Sequence, residues 1–291
     1  MANIKLKRSE NVDGNFYVDE SCINCGTCYW VAPGIFEMEG TMSAVKNQPK
    51  FKSEATKAYR ALYSCPTNSI GVEMLDSLGK KLAKEFPYVI EENVYHTGFH
   101  SEASYGAASY FIKTGLNNIM IDSPRYNKGL VTRILLLGGL EYQLLTHKDD
   151  VADTDLFWKK FKTNRMIHQD DITDETLLYE SYFQGEEETW VTDEVIAIPV
   201  PGHTKGSVCF LYKEKYLFTG DHLAYSPELD QLYAFKRACW YDFEEQIKSM
   251  KKLLNYNFEW ILPGHGFPYN ASPEKMKTQL EKCIEWMEEA K

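Results

Sequence analysis

The sequence predicts an α+β protein built from two parts of unequal size, and three observations support this prediction. The chain has 291 residues, which suits one domain of about 75 residues and another of about 210. Four of its seven cysteines lie within the first 65 residues. From about Tyr88 onward, short apolar stretches typical of strands alternate with longer helical patterns. We therefore expect two domains, residues 1–78 and residues 79–291.

The composition is that of an ordinary globular protein and indicates in which compartment and with which partners the protein is found. Hydrophobic residues make up 44% of the chain. No apolar run approaches the ~18 residues of a membrane span, and the first residues lack the apolar core of a signal peptide. The formal net charge of −10 would repel the phosphates of nucleic acids. The cysteines do not suggest a disulfide scaffold, which favours a reducing compartment. Together these observations lead us to expect a soluble, cytoplasmic protein that binds neither membranes nor nucleic acids.

The first part carries a cysteine triplet, Cys22, Cys25 and Cys28, and a distant fourth cysteine, Cys65, which is followed by proline. Three thiolates at this spacing can wrap a tight loop around one inorganic centre, and the fourth can close the site. Gly26 lets the backbone of the loop approach closely. The pattern favours an iron–sulfur cluster, with a four-cysteine zinc site or a disulfide pair as the alternatives.

Residues 17–72 resemble a bacterial single-cluster ferredoxin. The resemblance rests on the triplet, on the segment Ala-Pro-Gly-Ile-Phe that ends at Phe36, and on Ser-Cys-Pro-Thr-Asn-Ser-Ile-Gly, which ends at Gly71. The second cysteine triplet of two-cluster ferredoxins does not occur in this sequence. The resemblance implies a ferredoxin-like domain over residues 1–78, with one 4Fe–4S cluster bound by Cys22, Cys25, Cys28 and Cys65.

The remaining elements follow in chain order. A helix at 54–64 returns Cys65 to the triplet, and the polar segment 75–86 is interpreted as a connector. Strands are predicted at 94–96, 109–113, 118–122, 142–146, 165–168, 195–199, 208–212, 216–218 and 260–262. Helices are predicted at 128–137, 151–161, 243–254 and 273–289, and Ser272 is the expected N-cap of the last one.

In the second part, histidines and aspartates repeatedly follow apolar strands. His147 follows the strand at 142–146, and three Gly-His or Gly-Asp turns contain His203, Asp221 and His265. Loops at strand ends can converge on one edge of a sheet. Imidazole and carboxylate ligands delivered in this way suit Zn²⁺, iron or Mn²⁺.

In this order the residues resemble the metallo-β-lactamase superfamily over about residues 90–270. That resemblance implies a four-layer αββα sandwich for residues 79–291. It also implies that His147, His203, Asp221 and His265 are metal ligands and that Asp122 is a strand-end aspartate near the site.

The first histidine motif departs from the family pattern. It reads Thr-His-Lys-Asp-Asp-Val-Ala-Asp from Thr146, so Asp149 replaces the second histidine if no gap is allowed. A two-residue insertion would instead align Asp153 with the family's aspartate. Flavodiiron proteins, a redox branch of the superfamily, also have a carboxylate at the second histidine position, so iron becomes a candidate. The full predicted ligand set is His147, Asp149, Asp150, Asp153, His203, Asp221 and His265, which would hold one or two Fe, Zn or Mn ions; the alternative is a site that has lost its metal.

Other polar residues receive more limited interpretations. His222, next to Asp221, is predicted to act as a general acid or base, and Asp149 is the second predicted catalytic residue. His96 and His100 are interpreted as loop histidines, and His168 as structural.

Three functions are compatible with these patterns. The first is a redox metalloenzyme in which the ferredoxin part passes electrons from a partner protein to a metal site that acts on a small substrate. The second is a metal-dependent hydrolase of esters, thioesters or lactones with a structural cluster. The third is a non-catalytic electron-transfer or sensor protein. We favour the first, because hydrolysis has no need of a 4Fe–4S cluster.

Overall fold

A computed structural model describes residues 2–290, and the chain divides into two compact units. The first unit comprises the residues up to Glu141 together with Ala152–Phe161, and the second comprises Tyr142–Val151 and the residues from Lys162 onward. The predicted boundary near residue 78 therefore lies inside the first unit, where the ferredoxin-like part and the next strands form one body.

The first unit begins with the elements that carry the four cysteines. Strands β1 and β4 pair antiparallel, as do β2 and β3. The bounds are β1 Phe16–Val18, α1 Thr27–Val31, β2 Phe36–Glu39, β3 Met42–Val45, α2 Lys52–Ser64, β4 Ile70–Val72 and α3 Ser77–Leu82. Glu54 fixes the start of α2 by accepting hydrogen bonds from the backbone N–H groups of Lys50 and Phe51. The segment interpreted as a connector contains α3, whose N-cap is Asp76.

The rest of the first unit is an antiparallel meander with two helices. Its elements are β5 Tyr88–Glu91, β6 Val94–His96, β7 Tyr110–Ile112, β8 Ile119–Ile121, α4 Lys128–Leu136 and α5 Thr154–Phe161. Asn127 caps α4 by accepting from the backbone of Gly129 and Leu130. Helix α5 begins three residues later than predicted, because Ala152 has a positive φ of 34° that a right-handed helix does not accommodate.

The second unit contains parallel strands β9 Tyr142–Leu144, β10 Asn164–His168 and β11 Ser181–Phe183. It also contains a six-stranded sheet in the order β12-β13-β14-β15-β18-β19. The remaining bounds are β12 Thr189–Thr192, β13 Val195–Pro199, β14 Val208–Tyr212, β15 Tyr216–Gly220, β16 Ala224–Ser226, β17 Gln231–Tyr233, α6 Phe243–Leu253, β18 Trp260–Pro263, β19 Tyr269–Asn270 and α7 Pro273–Glu289. The prediction of α7 is confirmed, with Ser272 accepting from the backbone N–H of Lys275.

Helices α6 and α7 cover one face of the six-stranded sheet. Their apolar residues, including Met250, Leu280 and Cys283, form one buried cluster with Ile198 and Leu217 of the strands. Strand β15 pairs in parallel with β18. The residues that follow these two strands therefore leave the sheet at the same end.

Candidate functional site

The four cysteines of the first unit lie around one short loop. Cys22 and Cys25 precede α1, Cys28 lies within it, and Cys65 directly follows α2. Gly26 has a positive φ of 84°, and a Cβ at this position would lie 2.6 Å from the ring of Trp30. The loop therefore requires glycine between the second and third cysteines.

Each of these sulfur atoms has a polar neighbour. Cys22 Sγ accepts from the backbone N–H of Ser43 at 3.4 Å, and Cys65 Sγ accepts from that of Ser69 at 3.2 Å. Cys25 Sγ lies 3.3 Å from Thr27 Oγ1, and Cys28 Sγ lies 3.1 Å from Ser43 Oγ. Hydrogen bonds to the sulfur atoms are a feature of iron–sulfur sites, where they disperse the negative charge of the cluster.

The thiols also show why a cation-rich group suits this loop. Burial raises the pKa of Cys25 to about 11 and raises the pKa of Cys28 further above its ordinary value. Such thiols ionise only when positive charge is bound beside them. The donor set and the hydrogen bonds thus fit a 4Fe–4S cluster held by Cys22, Cys25, Cys28 and Cys65, which would supply one-electron chemistry.

The second candidate site lies in the second unit, at the ends of strands. His147 and the turn Lys148–Asp150 follow β9, and His203 follows β13. Asp221 follows β15 and His265 follows β18, so these two residues are brought together by the parallel pairing of their strands.

Two histidines approach the same two aspartates in this site. His203 Nε2 lies 3.6 Å from Asp149 Oδ2 and 3.8 Å from Asp221 Oδ2. His147 Nε2 lies 3.9 Å from each of the same two carboxylate oxygens. Ligand atoms of a tetrahedral metal site lie about 3.4 Å apart. The four imidazole–carboxylate distances are therefore only slightly wider than a bound ion requires.

Asp150 and His265 extend the site on the side of Asp221. Candidate ligand atoms of His147, Asp150 and Asp221 form a second group within 4.8 Å of one another. His265 Nδ1 lies 2.8 and 2.9 Å from the two carboxylate oxygens of Asp221. A Cβ on Gly264 would lie 2.9 Å from Asp221 Oδ1 and 3.0 Å from Asp150 Oδ2, so glycine makes room for both carboxylates.

Several histidine nitrogens of this site are buried without a hydrogen-bond partner among residues 2–290. They are Nε2 of His147 and both ring nitrogens of His203 and of His222. A buried polar atom left in this state is costly and rare. A metal ion would supply a partner for one nitrogen of each ring that faces it, so His147 and His203 fit the metal that the sequence predicts.

The protonation states favour the same interpretation. Burial lowers the pKa of His147 to about 4 and the pKa of His222 to about 3. Burial alone would raise the pKa of Asp221, but His265, followed by His147 and His203, outweighs it and lowers that pKa below its ordinary value. The His203 ring, 3.6 Å from Asp149 Oδ2, is the main cause that lowers the pKa of Asp149 as well. Neutral imidazoles facing ionised carboxylates are the forms that bind a cation.

The predicted residues do not all lie in this arrangement. Asp153 belongs to the first unit, where its carboxylate accepts from the backbone N–H of Tyr126 at 2.7 Å. It is absent from the candidate metal-binding groups found among the described residues. His168, interpreted as structural, contacts the carbonyl of Gly185 through Nε2 at 2.9 Å.

Asp171 is a residue of the site that the sequence analysis does not identify. Its carboxylate accepts from the backbone N–H of Lys148 at 3.1 Å, from Thr204 Oγ1 at 2.6 Å and from the backbone N–H of Gly206 at 2.9 Å. It therefore joins the loop of His147 to the loop of His203. Its sequence context, a Gln-Asp-Asp after a strand, gives no sign of this role.

Trp240, an aromatic residue that could cover the pocket or pack in the core, lies beside the loop of His203. Its backbone N–H donates to the carbonyl of His203 at 2.8 Å, and its ring centroid lies 6.2 Å from that of His203. The side chain is 66% exposed, so an aromatic surface faces solvent beside the candidate ligands.

Comparisons with known proteins agree with both halves of this description. Residues 18–72 match the family model described as the 4Fe–4S single cluster domain of ferredoxin I. Lactamase-like protein aptB of Emericella nidulans is 24% identical over 187 residues, which cover 60% of this chain and 56% of that protein. The uncharacterized protein YobT of Bacillus subtilis is 30% identical over 96 residues, covering 31% and 41% respectively. The chain thus spans only about half the length of the curated relatives it matches.

Solved structures show the fold of the larger part. The DIM-1 metallo-β-lactamase superposes with a TM-score of 0.53 at 16% identity, covering 70% of this chain and 96% of that one. The BLEG-1 B3 metallo-β-lactamase gives a TM-score of 0.51 at 16% identity, covering 67% and 99%. The predicted combination is therefore confirmed: a single-cluster ferredoxin domain is joined to a metallo-β-lactamase fold of mixed helices and strands. Within residues 2–290, none of the helices is both long and apolar enough to cross a membrane.

Proposed function

We propose that the protein is a redox metalloenzyme, in which the ferredoxin domain accepts electrons from a partner protein and supplies them to a metal centre that acts on a small substrate. The observation that carries the proposal is the close approach of His147 and His203 to the carboxylates of Asp149 and Asp221, found in the same chain as a ferredoxin domain. A set with as many carboxylates as imidazoles favours iron or manganese over zinc. Iron bound there would supply one-electron chemistry.

The surrounding side chains have separate roles in this proposal. His147 and His203 provide buried ring nitrogens, and Asp221 is held in place by His265. The side chain of Asp149 is 45% exposed, whereas those of His147 and His203 are 1% and 3% exposed. Asp149 is thus the ligand that a substrate arriving from solvent would meet. His222, with a pKa of about 3, is neutral near pH 7 and suits a ligand better than a general acid.

A metal-dependent hydrolase is the second candidate, and one observation favours it. Both buried ring nitrogens of His222 lack a hydrogen-bond partner among the described residues, which suits a further zinc ligand. Zinc would supply Lewis acidity for cleaving an ester, thioester or lactone. The cluster would then have a structural role.

Metal analysis of the anaerobically purified protein separates these candidates. For a redox enzyme we expect an iron content per chain clearly higher than the cluster's share, which is about four atoms. About four irons together with zinc would favour the hydrolase, and four irons alone would favour a non-catalytic electron-transfer or sensor protein. A His203→Ala variant should lose only the metal beyond the cluster, and the His168→Gln variant, which changes a histidine outside the site, should keep it.

Electron supply itself is tested by reducing the oxidised protein with a low-potential one-electron donor protein and following the non-cluster iron by Mössbauer spectroscopy. In the wild type this iron should change from the ferric to the ferrous state. A Cys25→Ser variant, which lacks the cluster, should keep it ferric on the same timescale. Equal reduction in both proteins would contradict the proposal.

A further inference from the structure

The segment between β6 and β7 lies outside the residues that match the ferredoxin family, yet it contacts the cysteine loop within the first unit. The hydroxyl of Tyr105 donates to the carbonyl of Ile23 at 2.8 Å. Gly106 has a positive φ of 87°, and a Cβ there would lie 2.8 Å from Cys25 Sγ. Because residue 106 is glycine, the backbone of this segment can approach Cys25, a predicted cluster ligand.

Thr27 lies between this segment and Cys25. Its Oγ1 is 3.3 Å from Cys25 Sγ, 2.9 Å from the carbonyl of Gly106 and 3.2 Å from His100 Nδ1. A free Cys25 thiol can donate to Thr27, but a sulfur that ligates iron has no proton and can only accept. The Thr27 hydroxyl must then choose between two acceptors, the sulfur and the Gly106 carbonyl.

The neighbouring His100 affects which of these two atoms accepts the Thr27 hydrogen bond. His100 Nδ1 lies 2.7 Å from the Gly106 carbonyl, which can only accept, so Nδ1 carries the ring proton. His96 Nδ1 accepts from the backbone N–H of Gly98 at 3.0 Å, which places the His96 proton on Nε2. That nitrogen lies 3.4 Å from His100 Nε2 and can donate to it. Both rings are thus neutral, with fixed tautomers, and burial lowers the pKa of His96 well below its ordinary value.

From this geometry we infer that His100 is a positioning residue for the cluster: its Nδ1–H donates to the Gly106 carbonyl, which weakens that oxygen as an acceptor for Thr27 and favours donation of the Thr27 hydroxyl to Cys25 Sγ. Thr27 and His100 are each 1% exposed, so water does not replace either bond. One-electron reduction adds negative charge to the cluster sulfurs, and an O–H donor stabilises that charge without any transfer of a proton. His100 therefore raises the reduction potential of a cluster that it does not touch.

The test is the midpoint potential of the cluster, measured by EPR-monitored redox titration of the full-length protein. Thr27→Val removes the hydroxyl and should shift the potential to more negative values, while Thr27→Ser should not. His100→Leu should produce a shift of the same sign. Because both residues act through one hydrogen bond, the Thr27→Val/His100→Leu double variant should have the potential of Thr27→Val alone.

Conservative variants keep the inference testable if His100→Leu fails to assemble the cluster. The amide nitrogen of Asn in His100→Asn takes the place of Nδ1 and should retain the wild-type potential. The amide nitrogen of Gln in His100→Gln takes the place of Nε2 and should give the negative shift. Wild-type potentials in both His100→Leu and His100→Gln, or fully additive shifts in the double variant, would overturn the inference.

Discussion

The cysteine loop of the first unit and the histidine–aspartate site of the second are both candidate sets of metal ligands, but their surroundings differ. The cysteine sulfurs already have hydrogen-bonding neighbours. The backbone N–H groups of Ser43 and Ser69 donate to two of them, and the hydroxyls of Ser43 and Thr27 lie within hydrogen-bonding distance of the other two. The ring nitrogens of His203 and His222 have no hydrogen-bond partner among the described residues. Anionic thiolates need donors around them, whereas neutral imidazoles facing carboxylates need a cation between them. The hydrogen bonds around the cysteine loop thus suit sulfur atoms that carry negative charge, whereas the second site suits a bound cation.

The largest expected effect comes from removing a cysteine of the loop. Cys65→Ser should abolish the cluster and reduce the iron content by about four atoms per chain, because serine is a poor ligand for iron–sulfur clusters. Iron analysis and the visible absorbance of the purified protein measure this loss. The matched control is Cys239→Ser, since Cys239 lies in the second unit, and it should keep the cluster. A Cys65→Ser protein with full colour and iron would contradict the assignment of the fourth ligand.

A smaller effect is expected for the aspartates of the second site. Asp149→Asn should weaken binding of the non-cluster metal by roughly tenfold to a hundredfold, because it removes an ionised oxygen near both His147 and His203. Asp153→Asn should leave the affinity unchanged, because Asp153 bonds the backbone of Tyr126 instead. Metal-binding titrations of the two variants decide between the two alignments that the sequence allows. Loss of metal from the Asp153 variant would favour the alignment with an insertion.

The smallest expected effect is the response of the second site to moderate acid. Since burial lowers the pKa of His147 to about 4, protons compete with the metal at this ligand only as the pH falls toward that value. Mn²⁺ affinity, followed by the EPR signal of free Mn²⁺, should therefore fall by about tenfold or less between pH 7 and pH 5.5. Two histidine ligands with ordinary pKa values would lose affinity on the order of a hundredfold over this range. A loss of that size would show that His147 is not held neutral.

Features encoded within a short stretch of sequence could be predicted, and features that depend on distant contacts could not. The cysteine triplet, the Gly-His turns and the Ser272 cap of α7 are local patterns with a direct physical reason. Asp171 bonds Thr204 across 33 positions, and Thr27 contacts His100 across 73. Single-sequence patterns carry no information about such pairs. The predicted start of α5 is wrong for a similar reason. The backbone conformation of Ala152 follows from the surrounding structure rather than from the helix propensity of alanine.

Asp171 has a consequence for the local stability of the second site. A single carboxylate holds the amide of Lys148 next to His147 and the amide of Gly206 near His203. Opening one loop frees part of the carboxylate that the other loop also binds, so we expect the local opening of the two loops to be coupled. The positions of the two candidate histidine ligands are therefore linked through one aspartate.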